Sequence, residues 1–450
     1  MSERRPLRTE LAPDARTMAR GAAVNVGGAL LTTVLSFALS LLITHEIRAT
    51  AFGLYSIALV TVLLGQVPAT LGLDVGAVRF VALRASQGDV EGARASLQAA
   101  LGIVALVSGT LAALLYWQAP WLSESFFHKP AAVDLVRLVG LALPALALTR
   151  VVIGGLQGLG MMRYSAVVNP VRVGTNIAVA VPVLVLGYGA KGLAAAFLAV
   201  SWSTLAVAAA LLARALPQAF VPSPRSAGVR ALLRFSLPQT LTTLLLQTIL
   251  WTDSVLLGRL RPAAEVGVYA IVQRLLSPAQ TVSTSTGQMF APRIAAEDAR
   301  GDRATLEVML KRVTYWNVSL AIPVFALLLL VPEALLGVFG PAYRTGAEAL
   351  TILAAGQIFN AATGPLGQVI NMSGRPYLTL VNNASVAALN IVGCLILIPR
   401  YGLTGAAARR PPRSRSSTSS SWPRCERSSG STPSAWRRRA RLSPGSPRRR

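Results

Sequence analysis

The chain reads as an all-α integral membrane protein of two parallel, pseudo-symmetric six-helix bundles. Three observations carry this: an apolar composition, eleven apolar runs of membrane-crossing length, and an internal repeat at about 213 residues. Hydrophobic residues make up 53% of 450 and charged residues 14%, with mean hydropathy +0.54. A soluble domain carries about 25% charge. A helix needs about 20 apolar residues to cross about 30 Å of hydrocarbon. Such runs cover 21–44, 54–78, 96–117, 133–157, 165–187, 192–213, 235–257, 267–290, 314–339, 347–371 and 378–398. The first is long and lacks an A-x-A site, so it reads as a retained helix and not a cleaved signal.

The repeat is visible residue by residue. Phe52-Gly53-Leu54-Tyr55-Ser56-Ile57 lines up with Val266-Gly267-Val268-Tyr269-Ala270-Ile271. Ala77-Val78-Arg79-Phe80 falls on Ala291-Pro292-Arg293-Ile294, and Gly88-Asp89 on Gly301-Asp302. Tyr188-Gly189-Ala190-Lys191-Gly192 matches Tyr401-Gly402-Leu403-Thr404-Gly405. This period is far longer than a solenoid unit of about 20–50 residues. In an apolar chain it points to a transporter of two halves. Six spans per half is an even number, so both halves enter from the same side as parallel repeats. The expected organisation is an N-terminal segment at 1–20, a first bundle at 21–213, a linker at 214–234, a second bundle at 235–408 and a tail at 409–450.

Basic residues set orientation. Arg4, Arg5, Arg8, Arg16 and Arg20 precede the first span; Arg79, Arg84 and Arg94 follow the second; Arg225, Arg230 and Arg234 lie in the linker. The alternate loops carry fewer. The N-terminus and linker are therefore expected in the cytoplasm, and the protein in a bacterial cytoplasmic membrane. Much of the +25 net charge lies in the tail, where thirteen Arg face one acid, Glu426. The charge thus serves topology, and no nucleic-acid partner is expected.

By the repeat, a twelfth span should begin near Leu403, as the sixth does near Leu193. After Ala408 the chain instead becomes Ser/Pro/Arg low complexity, which is too polar to fold. Either the tail is a basic extension contacting acidic headgroups, or the reading frame shifted near codon 408. The repeat cut in mid-match and the forty Arg against three Lys favour the shift.

No enzymatic constellation is present: His45 and His128 stand apart, with no H-E-x-x-H, no phosphate-binding loop and no Cys cluster. No cofactor or metal is expected. Cys394 lies within a span, so no disulfide framework is supported.

Several of these motifs together resemble the polysaccharide-export (Wzx-type) flippases of the multidrug/oligosaccharidyl-lipid/polysaccharide exporter superfamily. They are the Gly53-Leu54-Tyr55-Ser56-Ile57 opening of span two, its continuation Leu71-Gly72-Leu73-Asp74, Gly155-Leu156-Gln157-Gly158, and the Tyr-Gly-x-x-Gly start of span six. The resemblance covers about residues 18–408. It implies twelve or more spans, a cationic central cavity and a lipid-linked glycan substrate. Membrane lipids, a polysaccharide polymerase and glycosyltransferases are the partners it implies.

An ionisable group at mid-bilayer costs about 3 kcal/mol on insertion scales and is a functional candidate by default. Arg150, Arg172 and Arg274 are the expected contacts to a pyrophosphate, because guanidinium offers paired donors to phosphate oxygens. Against this stand snorkelling and structural ion pairing. Asp253 is expected to neutralise Arg274 or, less readily, to bind a coupling proton or sodium ion. Asp74, five residues before Arg79, reads as local structure. Gln247, Gln357 and Asn360 can bond sugar hydroxyls, although amides also hold membrane helices together. The expected function is translocation of an undecaprenyl-pyrophosphate-linked oligosaccharide. A cation-coupled multidrug exporter of the same superfamily is the alternative, and it would favour acidic over basic cavity residues.

Overall fold

Long runs of Leu, Ala and Val satisfy their own backbone hydrogen bonds only as helix when no water is at hand. The computed structural model describes residues 32–216, 221, 228–300, 303–362 and 376–408, with backbone alone at 162–166, 282–300, 303–306 and 376–380. Among the described residues there is no strand. The tail and the N-terminal segment lie outside them, as do linker residues 217–220 and 222–227.

The first half contains α1 (Thr32–Glu46), α2 (Ala49–Thr70), α3 (Leu73–Ser86), α4 (Val90–Pro120), α5 (Val133–Gly140), α6 (Leu143–Gly158), α7 (Met162–Val185) and α8 (Gly189–Ala215). The second contains α9 (Val229–Leu260), α10 (Ala263–Arg300), α11 (Arg303–Leu330), α12 (Pro332–Gly337), α13 (Ala347–Ala362) and α14 (Pro376–Ala408). The described parts of all eleven expected runs fall mainly on helix, with 21–31 and 363–371 lying outside the described residues. Among the described residues, eight helical stretches are long and apolar enough to cross a membrane. Their ends differ from the apolar runs. Helix α10 spans 38 residues, about 57 Å at 1.5 Å per residue, so it extends beyond the hydrocarbon. Its polar last turns, Ala-Ala-Glu-Asp-Ala-Arg, are, apart from the Asp, good helix formers that hydropathy alone does not detect.

The repeat survives in backbone detail. Gly189 and its counterpart Gly402 both take positive φ, 59° and 55°, where a Cβ would be strained. Gly402 interrupts α14, and the residues after it form a further helical turn. That turn doubles back, since a methyl on Gly405 would run into the Leu397 carbonyl. Leu403, Ala406 and Ala407 are buried. A new helical segment therefore does begin at Leu403, where the first half starts α8.

The halves meet through α2 and α10 on the face opposite the linker. The contact is made by the repeat-matched pair Gly53 and Gly267. A methyl on Gly53 would strike the Ala263 carbonyl, and one on Gly267 the Ala49 carbonyl. Two helices approach this closely only where side chains are absent. Near the linker face α3 lies against α9, with Arg79 4.4 Å above the Phe235 ring and Phe80 edge-on to the same ring.

Candidate functional site

The site begins with a broken helix. The span that hydropathy shows as one run is two helices, because Leu71 and Gly72 both adopt left-handed conformations, φ 48° and 64°. Pro68 sits in the last turn of α2. Holding Leu71 there costs on the order of 1 kcal/mol, which the surrounding packing sustains. Gly72 is fixed from outside too, since a Cβ on it would lie 2.5 Å from the Ser236 carbonyl oxygen of α9.

The break puts Asp74 in the first turn of α3, facing α6 and not its own neighbour Arg79. Gly154 on α6 lets the Asp74 carbonyl pack directly against the helix. Gly158 does the same for Val78, whose carbonyl oxygen would lie 2.9 Å from a methyl added there. One turn before Gly154 stands Arg150. Its Nη1 donates to Asp74 Oδ2 at 3.5 Å, with the two side chains 52% and 20% exposed. An ion pair this long and this open contributes about 0–1 kcal/mol.

Two cavities share this pair as a common wall. One, about 90 Å³, lies between the halves and is lined by Gln66, Thr70, Asp74 and Arg150 from the first half and Thr240, Thr243 and Gln247 from α9. The other, about 530 Å³, is formed by the first half alone. Asn169, Arg172, Ser201 and Thr204 of α7 and α8 close it behind Asp74 and Arg150. Arg150 and Gln247 are thus brought together, while Arg172 shares a cavity with Arg150 on the far side.

Arg274 stands apart from both cavities, half-buried in the junction between α1 and α10. It donates to Ser40 Oγ of α1 and lies 5.4 Å from the Phe52 ring centroid. Among the described residues it has no carboxylate within ion-pair distance. The expected neutralisation by Asp253 is not made. Asp253, 1% exposed, accepts from Tyr269 Oη at 2.6 Å, from Gln273 Nε2 at 3.2 Å and from the Ser254 amide at 2.7 Å. The reason is helical phase. Tyr269 and Gln273 share a stripe of α10, and Arg274, one residue on, is turned away by about 100° toward α1. Gln357 and Asn360 are adjacent on α13, with Asn360 Nδ2 3.4 Å from Gln357 Oε1, and line neither cavity.

The junction has a second clasp. A loop of the first half, running from Trp121 to Ala132, reaches over to the end of α9. Lys129 Nζ donates to the Gly258 carbonyl and to Phe127 O at 3.0 Å, and Arg259 lies 4.7 Å over the Phe126 ring. Burial holds the Lys129 ammonium below the usual lysine range. The counterpart loop of the second half sets Phe339 edge-on to Phe37 of α1, centroids 5.2 Å apart.

Of the cavity residues, sequence reasoning set Asp74 aside as local structure and did not single out Gln66, Thr70, Asn169, Ser201, Thr204, Thr240 or Thr243. For Asp74 the available signal was Leu71-Gly72 inside an apolar run, since a mid-span glycine marks a place where a helix can break and turn an acid inward.

Two helical bundles related by an internal repeat, with a polar cavity between them, define a multi-pass membrane transporter. The chain belongs to the polysaccharide biosynthesis protein family, whose model matches residues 18–296; the MatE family model matches residues 238–396. Among curated proteins it is 23% identical over 158 residues to the probable low-salt glycan biosynthesis flippase Agl15 of Haloferax volcanii, covering 35% of this chain and 34% of that protein. It is 25% identical over 124 residues to the uncharacterized membrane protein MJ1068 of Methanocaldococcus jannaschii, covering 27% of this chain and 24% of that protein. The matches thus span about a third and a quarter of those relatives' lengths. Its fold is similar to a multidrug resistance MATE family transporter of the MOP superfamily in an inward-facing conformation, with TM-score 0.71 and 17% identity over 86% of this chain and 93% of that one. It is equally similar to the lipid II flippase MurJ in an inward closed conformation, with TM-score 0.71 and 13% identity over 86% and 84%.

Proposed function

We propose that the protein moves a lipid-linked oligosaccharide, carried on a polyprenyl pyrophosphate, from the cytoplasmic to the outer leaflet of a bacterial cytoplasmic membrane. The observation that carries this is the cavity between the halves, where Arg150 stands among hydroxyls and amides that suit a sugar pyrophosphate. The family, and the likeness to a glycan biosynthesis flippase, support the same reading. The linker face is taken as cytoplasmic, from its basic loops. Rocking the halves would open the Gly53–Gly267 junction, expose Arg274 and release the head group outward while the lipid tail stays in the bilayer. An inside-negative potential of 100 mV favours outward movement by about 2.3 kcal/mol per negative charge; a proton or sodium gradient is the other energy source to test. Asp74 in the cavity wall and the MatE family match over residues 238–396 favour the alternative, a cation-coupled drug exporter.

The test uses proteoliposomes holding a fluorescent polyprenyl-pyrophosphate sugar, with ethidium efflux measured in parallel. The wild type should speed transfer of the lipid between leaflets and leave ethidium unmoved. In cells, Arg274→Ala at equal protein level should cut glycan export at least tenfold. Undiminished export would remove Arg274 from the transport path. Ethidium movement without lipid transfer would replace this function by the alternative.

A further inference from the structure

Near the linker face α3 and α9 meet in a seam of their own. Toward α9, α3 presents Gly72 and Gly76, and α9 sets Leu232, Ser236 and Thr240 against them. A methyl on Gly76 would strike the Ser236 hydroxyl and lie 3.3 Å from Leu232 Cδ1. Leu232 and Ser236 are fully buried, and beside them Arg79 and Phe80 rest on the Phe235 ring. Gly72 and Thr240 also line the cavity between the halves, so the seam borders that cavity on the side away from Gly53 and Gly267. The seam contains one unsatisfied group. Thr240, Thr248 and Thr252 of α9 each donate to the carbonyl four residues back, whereas Ser236 Oγ has no hydrogen-bond partner among the described residues. A buried hydroxyl in that condition has lost its water without a replacement, which disfavours the contact that buries it.

We propose that this seam is a gate on the linker face whose balance is set by the dry Ser236 hydroxyl. The hydroxyl works against closure, and the contact of Arg79 and Phe80 with Phe235 works for it. When the gate opens, α3 stays with its own half, because its Asp74 and Val78 carbonyls pack directly on Gly154 and Gly158 of α6. The seam to α9 is the one that parts, and water then reaches Ser236. Two opposed local terms keep the closed and open forms close in energy, so that a modest difference in ligand affinity can shift their populations. The gate goes beyond the flippase reading, since any solute entering the cavity from the linker face crosses the same seam.

Maleimide labelling of the purified full chain tests this, with Cys394 and Cys425 replaced and Leu232→Cys as the reporter in the seam. Ser236→Ala should slow labelling about fivefold or more, since the closed form no longer strands a hydroxyl. Misfolding exposes cysteines and cannot produce that slowing. Phe235→Leu should speed labelling about twofold or more, through loss of the cation–π contact. A second reporter, Val151→Cys, buried inside the first half, should keep its rate in both variants. An unchanged or faster rate at Leu232→Cys in Ser236→Ala overturns the proposal. So does an equal slowing at Val151→Cys, which would mean general stabilisation and no gate. Failure of lipid transfer in the wild type would remove the flippase reading and leave these labelling rates as the measure of the gate.

Discussion

Replacing Gly53 by valine is expected to hold the two halves apart and abolish transport while leaving each half folded. At this position the obstacle to a side chain is backbone, the carbonyl of Ala263, which cannot rotate out of the way as a side-chain tip does. Ordinary overpacking costs about 1–3 kcal/mol. Here the penalty is expected to fall on the closed junction, because the three atoms nearest an added Cβ all belong to α10. About 3 kcal/mol shifts the open-to-closed ratio more than a hundredfold. A cysteine at Val266, 2% exposed in the junction, reports the result in a background with Cys394 and Cys425 replaced. It should resist a membrane-impermeant maleimide added outside when Gly53 is present and react when valine stands there. Protection in both backgrounds would mean that α2 and α10 do not form the seal.

Asp253→Ala should be the most destabilising single polar change in the second half. The carboxylate gathers the Tyr269 hydroxyl, the Gln273 amide and the Ser254 backbone amide in a buried place. A membrane hydrogen bond averages about 0.6 kcal/mol, but bonds to a charged group are worth about 1.5–3, and orphaned buried partners add to the loss. A loss of about 2–4 kcal/mol is expected for Asp253→Ala, against about 1–2 for Tyr269→Phe. Thermal unfolding of the purified protein, followed by size exclusion, measures both. Should Asp253→Ala keep its melting temperature and lose only transport, the residue serves ion coupling and not the fold.

These expectations show which properties composition and periodicity reveal. Helical class, the two halves and the start of a helix at Leu403 follow from hydropathy and repeat spacing, because those depend on averages over many residues. Facing is different. Arg150 and Asp74 lie 76 positions apart, and their meeting depends on two left-handed residues, one of them a leucine that no propensity scale would place there. Arg274 and Asp253 were both legible as charges inside apolar runs; one residue of helical phase separated them. Gln357 and Asn360 illustrate the same limit, since an amide in a span announces polarity but not which cavity, if any, it borders.

The Gly53–Gly267 contact also records how the molecule arose. In a pseudo-twofold arrangement, residues matched by the repeat and touching each other must lie at the axis. Before fusion of the two halves, the same contact would have been one glycine meeting its own copy in a symmetric dimer, an isologous interface. In that ancestor a single substitution would have altered both sides at once. Fusion separated the two positions in the gene, and the charged residues show what that freedom allowed. Asp74, Arg150 and Arg172 lie in one half only, with no charged residue about 213 positions later. The halves stayed alike where they touch and diverged where they enclose space.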